Sequence, residues 1–595
     1  MRNVHAVLFL TIMSLLSAVV PAFGQGTPPL GFVTKLGMDL DLRSGGRILF
    51  DEITSGRVIL PESGAPSATG LPTVPQVQLR GNNVQVNNPA ADGVIQIFPR
   101  FRPFVRATQS ETSVAASGNN IVTTYNDSTG IHVSQNPGGP GLIVDRVQLS
   151  GFGVSHDGGQ TWTSGFMPPA AGATDTYGDP SVGVDRYGVF YFSNLGADAF
   201  FNGTIQVNKS NDGGSTWSAA AIVQVDNGSD KPWLAVGPDP GAKNRDNVYV
   251  TWTSFQNDGS CQLRFGRSID GGVTWAARTI YAPAADPNPA HPQNCLTFTN
   301  PIVDQITGSL YIPFLHFSNS DQDFIQMMMS DDAGATFRFA TFNIPGAPDP
   351  TVMPVTQPGE LTSCGFEGGI NLRLTIHGTA NPGPGWFGLP RYINASRMTL
   401  QPATAARNGV IYMAWNNSTS PFFGDPAGKT NVLFIRSDDG GHTWTSPIAV
   451  TALGTDKHQV LPSLAIDNDP NSVHISYYTQ HADNSIDLDM ANSHDRGASF
   501  PADRTLRVTS TPFVLPPTNI PLSNAPLFNS TNYDRQIAIC YALGEYQSVT
   551  TANGSVYVAW GDMRNTITEP INPLNPISGQ THSQEDVFFQ KVKAQ

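Results

Sequence analysis

The sequence is poor in charged residues and lacks the short motifs of common metal sites. Only 13% of its 595 residues are charged, too few Glu, Lys and Arg for coiled coils or helical solenoids. The 33 basic residues are outnumbered by 47 acidic ones, which gives a net charge of −14. A nucleic-acid or anionic-membrane binder would need the opposite sign. Neither Cys-x-x-Cys nor His-Glu-x-x-His occurs, so no zinc site is predicted.

Glycine and proline are abundant instead, with 58 and 47 residues. This composition is typical of a chain rich in turns. A hydrophobic content of 39% and nine tryptophans are too high for a disordered chain. Because the chain is too long for one ordinary core, we expect either several domains or one repeat architecture.

The first residues are typical of a secretory signal. Arg2 precedes an apolar stretch from Ala6 to Val20, and small residues follow at Ala22 and Gly24. This pattern predicts a signal peptide over residues 1–24. The stretch is shorter than the ~20 residues that cross a bilayer, and no other of that length follows. The mature chain is therefore expected to be secreted or periplasmic, without a transmembrane segment.

Export makes the four cysteines candidate disulfide partners, and four cysteines allow three pairings. We favour Cys261–Cys295, because the two lie within about one unit of the repeat described next. Cys364–Cys540 would then follow by default.

An octapeptide of the form Ser-x-Asp-x-Gly-x-Thr-Trp recurs six times with mild drift. An Asp carboxylate can accept backbone N–H bonds from the residues ahead of it, and Gly supplies the positive φ of a tight turn. The aromatic residue then re-enters a strand and buries a large apolar face. Repetition favours a structural over a catalytic role for these aspartates. They are Asp157, Asp212, Asp270, Asp332, Asp439 and Asp495.

A second repeat is a pair of alternating β-branched and aromatic segments around a short turn, which predicts a β-hairpin. The seven copies are Glu111–Tyr125, Asp179–Phe192, Lys231–Trp252, Asn300–Phe314, Gln401–Trp415, Leu461–Tyr478 and Tyr546–Trp560.

Together the repeats predict an all-β fold, a β-propeller of four-stranded blades. Seven blades are favoured and six remain the alternative. The last hairpin is followed by only one further strand, Glu585–Gln590, so a strand from the N-terminal side, Val94–Phe98, is expected to complete that blade. Residues 25–95 are interpreted as an extended lead-in and residues 96–595 as the propeller, with an insertion at about residues 339–397.

The octapeptide resembles the Asp-box (BNR) repeat of the sialidase superfamily. The ending, Gly544–Ser548 with Val556–Arg564, is similar to the final blade of exported bacterial exo-alpha-sialidase-like proteins. The resemblance implies a propeller whose active site would lie over the central channel, on the face away from the boxes. It also implies a glycoside hydrolase that acts on extracellular glycans.

This chain departs from true sialidases in one motif. They carry Phe/Tyr-Arg-Ile-Pro on the first hairpin, and its Arg begins a triad that holds the sialic acid carboxylate. Here Glu111 stands at that place, and Phe101–Phe104 is only loosely similar. The other two triad positions stay unassigned; the arginines available for them are Arg267, Arg373, Arg436 and Arg564.

If the first strand of each hairpin lines the channel, the residues that open these strands gather at one mouth. The carboxylates there could supply a general acid and a base or nucleophile for glycoside cleavage. They could instead hold Ca²⁺ through oxygen ligands, or be solvated strand ends. The candidate catalytic residues are Glu111, Asp179, Asp230, Glu545 and Tyr546. Neighbours in the same set are Lys231, Asn300, Gln401 and Leu461. Asp127 and Asp562 are alternative acids, and His316 and His458 are expected on the surface.

Two functions follow from this interpretation. The first is an exported sialidase-like glycoside hydrolase, in which the channel-mouth carboxylates, or Tyr546, act on an extracellular glycan. The alternative is a non-catalytic propeller that binds a glycan or a protein, favoured by the missing Arg motif and by the insertion. Apart from Ca²⁺ no cofactor is expected, and the oligomeric state is left open.

Overall fold

The computed structural model describes residues 83–97, 102–106, 109–135, 142–256, 260–284, 294–318, 324–355, 401–419, 429–514, 544–568 and 581–593, apart from a few single positions. The predicted signal peptide, Cys364, Cys540, Arg373 and residues 356–400 lie outside these ranges. The described chain is all-β. Its helical elements are three short 3₁₀ turns: Pro89–Ala91, Ser128–Gly130 and Ala502–Arg504. Among the described residues no helix is long and apolar enough to span a membrane.

The strands form a series of antiparallel sheets, which we number 1 to 7 in chain order. Sheets 1 to 3 each have four strands in chain order across the sheet. Sheet 1 contains β4 (Gln109–Ser117), β5 (Asn120–Asp127), β8 (Ser150–Ser155) and β9 (Thr163–Phe166). Sheet 2 contains β10 (Thr176–Val184), β11 (Phe190–Ala197), β12 (Gly203–Ser210) and β13 (Ala221–Val225). Sheet 3 contains β14 (Ser229–Asp239), β15 (Ala242–Phe255), β16 (Cys261–Ser268) and β17 (Ala276–Tyr281).

Sheets 4 to 6 repeat this order with short outer strands, and one parallel pairing, Thr430 with His458, joins sheets 5 and 6. Sheet 4 contains β18 (Asn294–Thr297), β19 (Ile302–Val303), β20 (Leu310–Ser318), β21 (Phe324–Ser330), β22 (Arg338–Phe339) and β23 (Met353–Pro354). Sheet 5 contains β24 (Ala403–Arg407), β25 (Val410–Ser418), β26 (Thr430–Ser437) and β27 (Ile448–Ala449). Sheet 6 contains β28 (His458–Ile466), β29 (Val473–Gln480), β30 (Ser485–Ser493), β31 (Thr505–Arg507) and β32 (Phe513–Val514).

Sheet 7 combines strands from both ends of the described chain. It contains β33 (Ser548–Ala552), β34 (Ser555–Asp562), β37 (Asp586–Lys593) and β1 (Val84–Gln85). Two-stranded hairpins lie beside the sheets: β2 (Gly93–Ile97) with β3 (Arg102–Arg106), β6 (Ile131–Gln135) with β7 (Leu142–Val147), and β35 (Thr566–Thr568) with β36 (Thr581–Ser583).

All seven predicted hairpins are present: β19 with β20 in sheet 4, and the first two strands of each of the other six sheets. One strand differs from the prediction. The N-terminal strand of sheet 7 is Val84–Gln85, whereas the predicted segment pairs with β3 instead. Of the residues predicted to form an insertion, Phe342, Met353 and Val355 are buried in the core between sheets 4 and 5, and residues 356–400 lie outside the described ranges.

Apolar cores lie between successive sheets, and the last sheet packs against the first. Val122 of sheet 1 shares a buried cluster with Phe190 of sheet 2. Sheets 2 and 3 are joined by the hydroxyl of Ser193, which donates to the carbonyl of Pro232 over 3.2 Å. Further clusters join sheets 3 and 4, 4 and 5, 5 and 6, and 6 and 7. Val114 of sheet 1 packs with Phe589 of sheet 7.

Each octapeptide forms the turn between the third strand of its sheet and the segment that follows. In the second copy Thr216 donates to Asp212 from its backbone N–H (2.9 Å) and its hydroxyl (2.6 Å). The N–H of Gly214, whose φ is 95°, donates to the Ser210 hydroxyl over 2.8 Å. These bonds, led by that from the Thr216 hydroxyl, lower the pKa of Asp212 to about 2, and the other five turn aspartates have similarly lowered pKa values.

The predicted Cys261–Cys295 disulfide is confirmed. It joins β16 of sheet 3 to β18 of sheet 4 and is buried, with the two cysteines 1% and 4% exposed. The other predicted pair lies outside the described residues.

Candidate functional site

The first strands of sheets 1, 2, 3 and 6 share a β-bulge near their beginning. One residue in each bulge adopts a left-handed conformation that is uncommon for any residue but glycine. The four are Glu111, Asp179, Lys231 and Leu461, with φ of 60°, 51°, 53° and 50°. Such strain costs on the order of 1–3 kcal/mol per residue and is frequent at functional sites. The repetition of this strain in four sheets indicates a candidate site at the beginning of their first strands.

Lys231 lies at the centre of three carboxylates that come from three different sheets. Its Nζ donates to Glu111 Oε1 over 3.3 Å and lies 3.6 Å from Asp179 Oδ1. The same ammonium forms an ion pair with Glu545 Oε2. The side chains of Lys231, Glu111, Asp179 and Glu545 are only 2%, 1%, 2% and 0% exposed. We call these four residues the central ion cluster.

Backbone and amide groups complete the contacts of the two glutamates. Asn126 Nδ2 donates to Glu111 Oε2 over 2.8 Å, while Asn126 Oδ1 accepts the backbone N–H of Asp179. The N–H of Glu545 donates to Glu111 Oε1 over 3.0 Å. Gly544 permits this approach, because a Cβ there would lie 2.5 Å from Cγ of Glu111. Glu111 and Asn126 of sheet 1 therefore connect this sheet to sheets 2 and 7.

Tyr546 and Trp233 form the aromatic side of the cluster. The Lys231 Nζ lies 5.4 Å from the centre of the Tyr546 ring, within reach of a cation–π interaction. The Tyr546 ring packs edge-on against Trp233 at 4.7 Å, and its hydroxyl donates to the carbonyl of Pro180. Burial, then the charges of Glu111, Asp179 and Asp230, raise the pKa of Tyr546 well above 10. A phenol in that state is a hydrogen-bond donor and a poor nucleophile.

A second group of acids is buried beside the cluster. Glu585 is 3% exposed and Asp586 is fully buried. Burial, then the charges of Glu111 and Asp586, raise the pKa of Glu585 well above 4.5. Asn87 Nδ2 donates to Asp586 Oδ1 over 2.6 Å. Glu585 therefore keeps its proton to higher pH than an exposed glutamate does.

All five predicted catalytic residues come together, but none is at an open mouth. Asp230 and Tyr546 are each 4% exposed, and Glu111, Asp179 and Glu545 are 2% or less. Cleavage of a glycoside needs two carboxyl groups that reach the scissile bond from opposite sides. Here the carboxylates are directed at one lysine instead. The expectation of solvated strand ends is wrong for these residues.

The alternative residues also have internal partners. Asp562 accepts from Arg564 Nε (2.9 Å) and from the indole N–H of Trp560 (2.9 Å). Asp127 accepts from Gln109 and from the Thr129 hydroxyl. His316 and His458 are 4% and 6% exposed, so their predicted surface location is wrong. Both lie on strands next to the sheet cores.

The arginines considered for a carboxylate-binding triad are engaged elsewhere. Arg267 Nη1 donates to the carbonyl of Ala333 in the next octapeptide turn. Arg436 Nη1 donates similarly to Arg496, and Arg564 pairs with Asp562. Among the described residues these three do not converge, and Arg373 lies outside them.

Lys231 is the central residue that motif reasoning missed. Lys231 follows Asp230 in the chain, yet the hairpin repeats align Lys231, and not Asp230, with Glu111 and Asp179. The signal was the shared Pro-x dipeptide that follows Asp179, Lys231 and Leu461. Asn126 carried no such signal, since its role depends on the bulge that brings Glu111 beside it.

Ca²⁺ binding was one alternative for these carboxylates. Among the described residues no group of three or more acidic, His or Cys side chains has suitable geometry for a metal ion. The ammonium of Lys231 lies where a cation would meet Glu111, Asp179 and Glu545. A resident positive charge therefore compensates these carboxylates in part.

Comparison with known proteins gives only distant likenesses. No known family profile matches the chain, and no curated protein matches it. Similar solved structures include a Trypanosoma rangeli sialidase (13% identity, 86% of this chain, 59% of that chain, TM-score 0.34). Others are a Hadza microbial sialidase (14%, 84%, 96%, 0.35) and a PL25 ulvan lyase (12%, 87%, 96%, 0.43). This chain spans 59% of the trypanosomal enzyme's length. With every TM-score below 0.5, none of these likenesses identifies the fold or activity.

Proposed function

We propose that this chain is an exported, seven-bladed β-propeller of the sialidase-like Asp-box type that binds an extracellular glycan without cleaving it. Seven hairpin-based sheets, each packed against the next and the last against the first, support the ring. β1 would supply the fourth strand that completes the last blade. The octapeptide turns support the family resemblance, and the N-terminal signal pattern supports export.

The observation that carries the non-catalytic proposal is the burial of the central ion cluster. The three carboxylates are 0–2% exposed and each contacts Lys231. Taking such charges out of water is costly unless they are paired and hydrogen-bonded, and here they are. The arrangement suits a group that holds three sheets together, because a catalytic acid must reach its substrate.

The proposal is tested by applying the purified mature chain to an array of neutral, sialylated, uronate-bearing and sulfated glycans. We expect saturable binding to at least one glycan class by folded protein. Binding that is absent from the whole array, with cooperative unfolding intact, would contradict a glycan-binding function.

Glycoside hydrolysis is the second candidate, favoured by one observation: Glu111, Asp179, Glu545 and Tyr546 all meet around one point. In that case Glu111 or Glu545 would protonate the leaving oxygen while another carboxylate, or Tyr546, attacks or activates water. Turnover that is abolished in Glu545→Gln, with an unchanged melting temperature, would favour this candidate. Lost turnover together with a lowered melting temperature would point to the structural role.

A further inference from the structure

A cleft of about 620 Å³ lies at the end of the sheets opposite to the central ion cluster. Its lining comes from the turns after the first strands of sheets 4, 5 and 6 and from one octapeptide turn. Ile306, Arg407, Ile466 and Arg496 contribute from these four turns. Arg407 and Ile466 end the strands β24 and β28, whereas Leu461 lies near the beginning of β28. The volume is within the usual range of small-molecule sites.

Hydrogen bonds between the sheets fix the walls of this cleft. The buried carboxylate of Asp304 accepts the N–H of Ile306 (2.8 Å) and, from the next sheet, the N–H of Gly409 (2.7 Å). On the other side the N–H of Arg496 donates to the carbonyl of Asn471 over 3.0 Å. The walls are therefore formed before any ligand binds, which reduces the entropic cost of binding.

Two guanidinium groups line the cleft. Arg407 is half-buried, and no carboxylate or hydrogen-bond acceptor is in contact with its side chain within the part of the chain that the structure describes. Arg496 pairs with Asp438 and is 38% exposed, and it also contacts the hydroxyl of the buried Tyr412. A guanidinium has five N–H donors in a planar fork that matches an oxyanion.

The rest of the lining suits a sugar ring. Asn408, Asn468 and Asn471 present amide groups that can exchange hydrogen bonds with hydroxyls. Ile306, which is 55% exposed, and Val410 give apolar surface for the C–H face of a ring. Amide groups, apolar surface and a guanidinium without a partner among the described residues occur together at this cleft. A hydrophobic ligand would leave the Arg407 guanidinium without a counter-charge among the described residues, whereas Arg496 already pairs with Asp438.

We propose that this cleft binds a sugar residue of a glycan that carries an anionic group, a carboxylate or a sulfate, held by Arg407 and Arg496. The inference rests on the proposed glycan-binding function and locates it away from the central ion cluster. Arg407 makes the ion pair that it lacks among the described residues, and the asparagines bind ring hydroxyls. Because the ion pair is partly exposed, affinity falls as salt concentration rises.

The test is isothermal titration calorimetry of the full mature chain with three matched oligosaccharides: uronate-bearing, sulfated and neutral. We expect binding of an anionic oligosaccharide at least tenfold tighter than that of the neutral one. Arg407→Met should remove most of this difference. Arg504→Met is the matched control, since Arg504 lies on the 3₁₀ turn Ala502–Arg504 outside the cleft, and it should bind as wild type does. The two anionic arms distinguish carboxylate from sulfate.

Equal affinity of wild type and Arg407→Met for the anionic glycan would overturn the inference, while glycan binding itself would stand. Preference for the neutral oligosaccharide would overturn it as well. Failure of all three oligosaccharides and of the wider array to bind would refute the proposed function too. Melting temperatures of both variants within a few degrees of wild type show that the comparison concerns binding and not folding.

Discussion

At the scale of single residues, Lys231 is the residue that all three carboxylates of the central ion cluster contact. Its ammonium compensates three buried carboxylates from three sheets. Removing one partner from a buried ion pair is strongly destabilising, because it leaves charge in a low-dielectric interior without compensation. The left-handed backbone at Lys231 adds a local cost, so the contacts of its side chain must outweigh this strain.

Replacing Lys231 with Met should therefore lower the free energy of unfolding by roughly 3–5 kcal/mol at pH 7. Chemical denaturation measures the change, with Lys243→Met, an exposed lysine, as the control. An equally stable variant at pH 7 would contradict a compensating role for Lys231.

Glu585 gives a pH dependence of the opposite sign to that of an ordinary carboxylate. Its pKa is raised in the folded chain, so the stability it contributes is fully present below the unfolded value and is lost as pH rises through the folded value. Glu585→Gln should thus gain stability relative to wild type as the pH rises above the ordinary value of 4.5. Thermal unfolding over a series of pH values, with the exposed Asp503→Asn as control, measures this gain. A pH-independent difference would refute the raised pKa.

At the scale of elements, the octapeptide turns and the disulfide stabilise the sheets locally. Turn and hairpin positions were predictable, since Asp, Gly and aromatic residues at fixed spacing determine the turn chemistry within eight residues. The bulges were not, because a left-handed backbone is uncommon at Glu, Lys or Leu and their residue types alone do not indicate it. It follows that the members of the central site could be predicted from their shared place in the repeat, whereas their burial and the role of Lys231 could not.

The six turn aspartates should make the protein sensitive to acid. Their pKa values of about 2 lie below the model-peptide value, so the stability they contribute is present above pH 4 and is lost as pH falls toward 2. Each turn is largely exposed, and solvent screening keeps each contribution small. Unfolding midpoints between pH 5 and pH 2 should fall less in Asp270→Asn than in wild type. Identical slopes would refute this prediction.

The Cys261–Cys295 disulfide closes a loop between sheets 3 and 4, with a sequence separation of 34. Chain-entropy arguments give roughly 3–4 kcal/mol for a loop of this size. The double variant Cys261→Ser/Cys295→Ser should lose a comparable amount in urea denaturation. A loss below about 1 kcal/mol would show that the sheets hold this junction without the bond.

At the scale of the whole molecule, residues that are far apart in sequence meet where β1 joins sheet 7. Asn87 donates to Gln109 (3.0 Å) and to Asp586, and it accepts the N–H of Val587 (2.9 Å). The strand before it, Val84–Gln85, has only two residues, too few for a periodic pattern. The longer apolar segment Val94–Phe98 has such a pattern, so the sequence favours it as the N-terminal strand of the last sheet.

Asn87→Ala removes three buried hydrogen bonds at the junction of β1 with sheets 1 and 7. At about 1 kcal/mol for a neutral bond and more for that to Asp586, the loss should be roughly 3–5 kcal/mol. The exposed Asn119→Ala is the control. Denaturation curves that overlap those of wild type would contradict a stabilising role for Asn87 at this junction.

The proposal that this protein binds glycans without cleaving them is tested most directly by an activity assay. The assay measures turnover of a panel of fluorogenic glycosides, including a sialoside and neutral sugars, by the folded chain. Because the candidate carboxylates are buried around Lys231, we predict no release above the uncatalysed rate from any member, while glycan binding persists. Release of the fluorophore from any glycoside would contradict the absence of cleavage if Glu111→Gln or Glu545→Gln abolishes that release without lowering the stability of the protein.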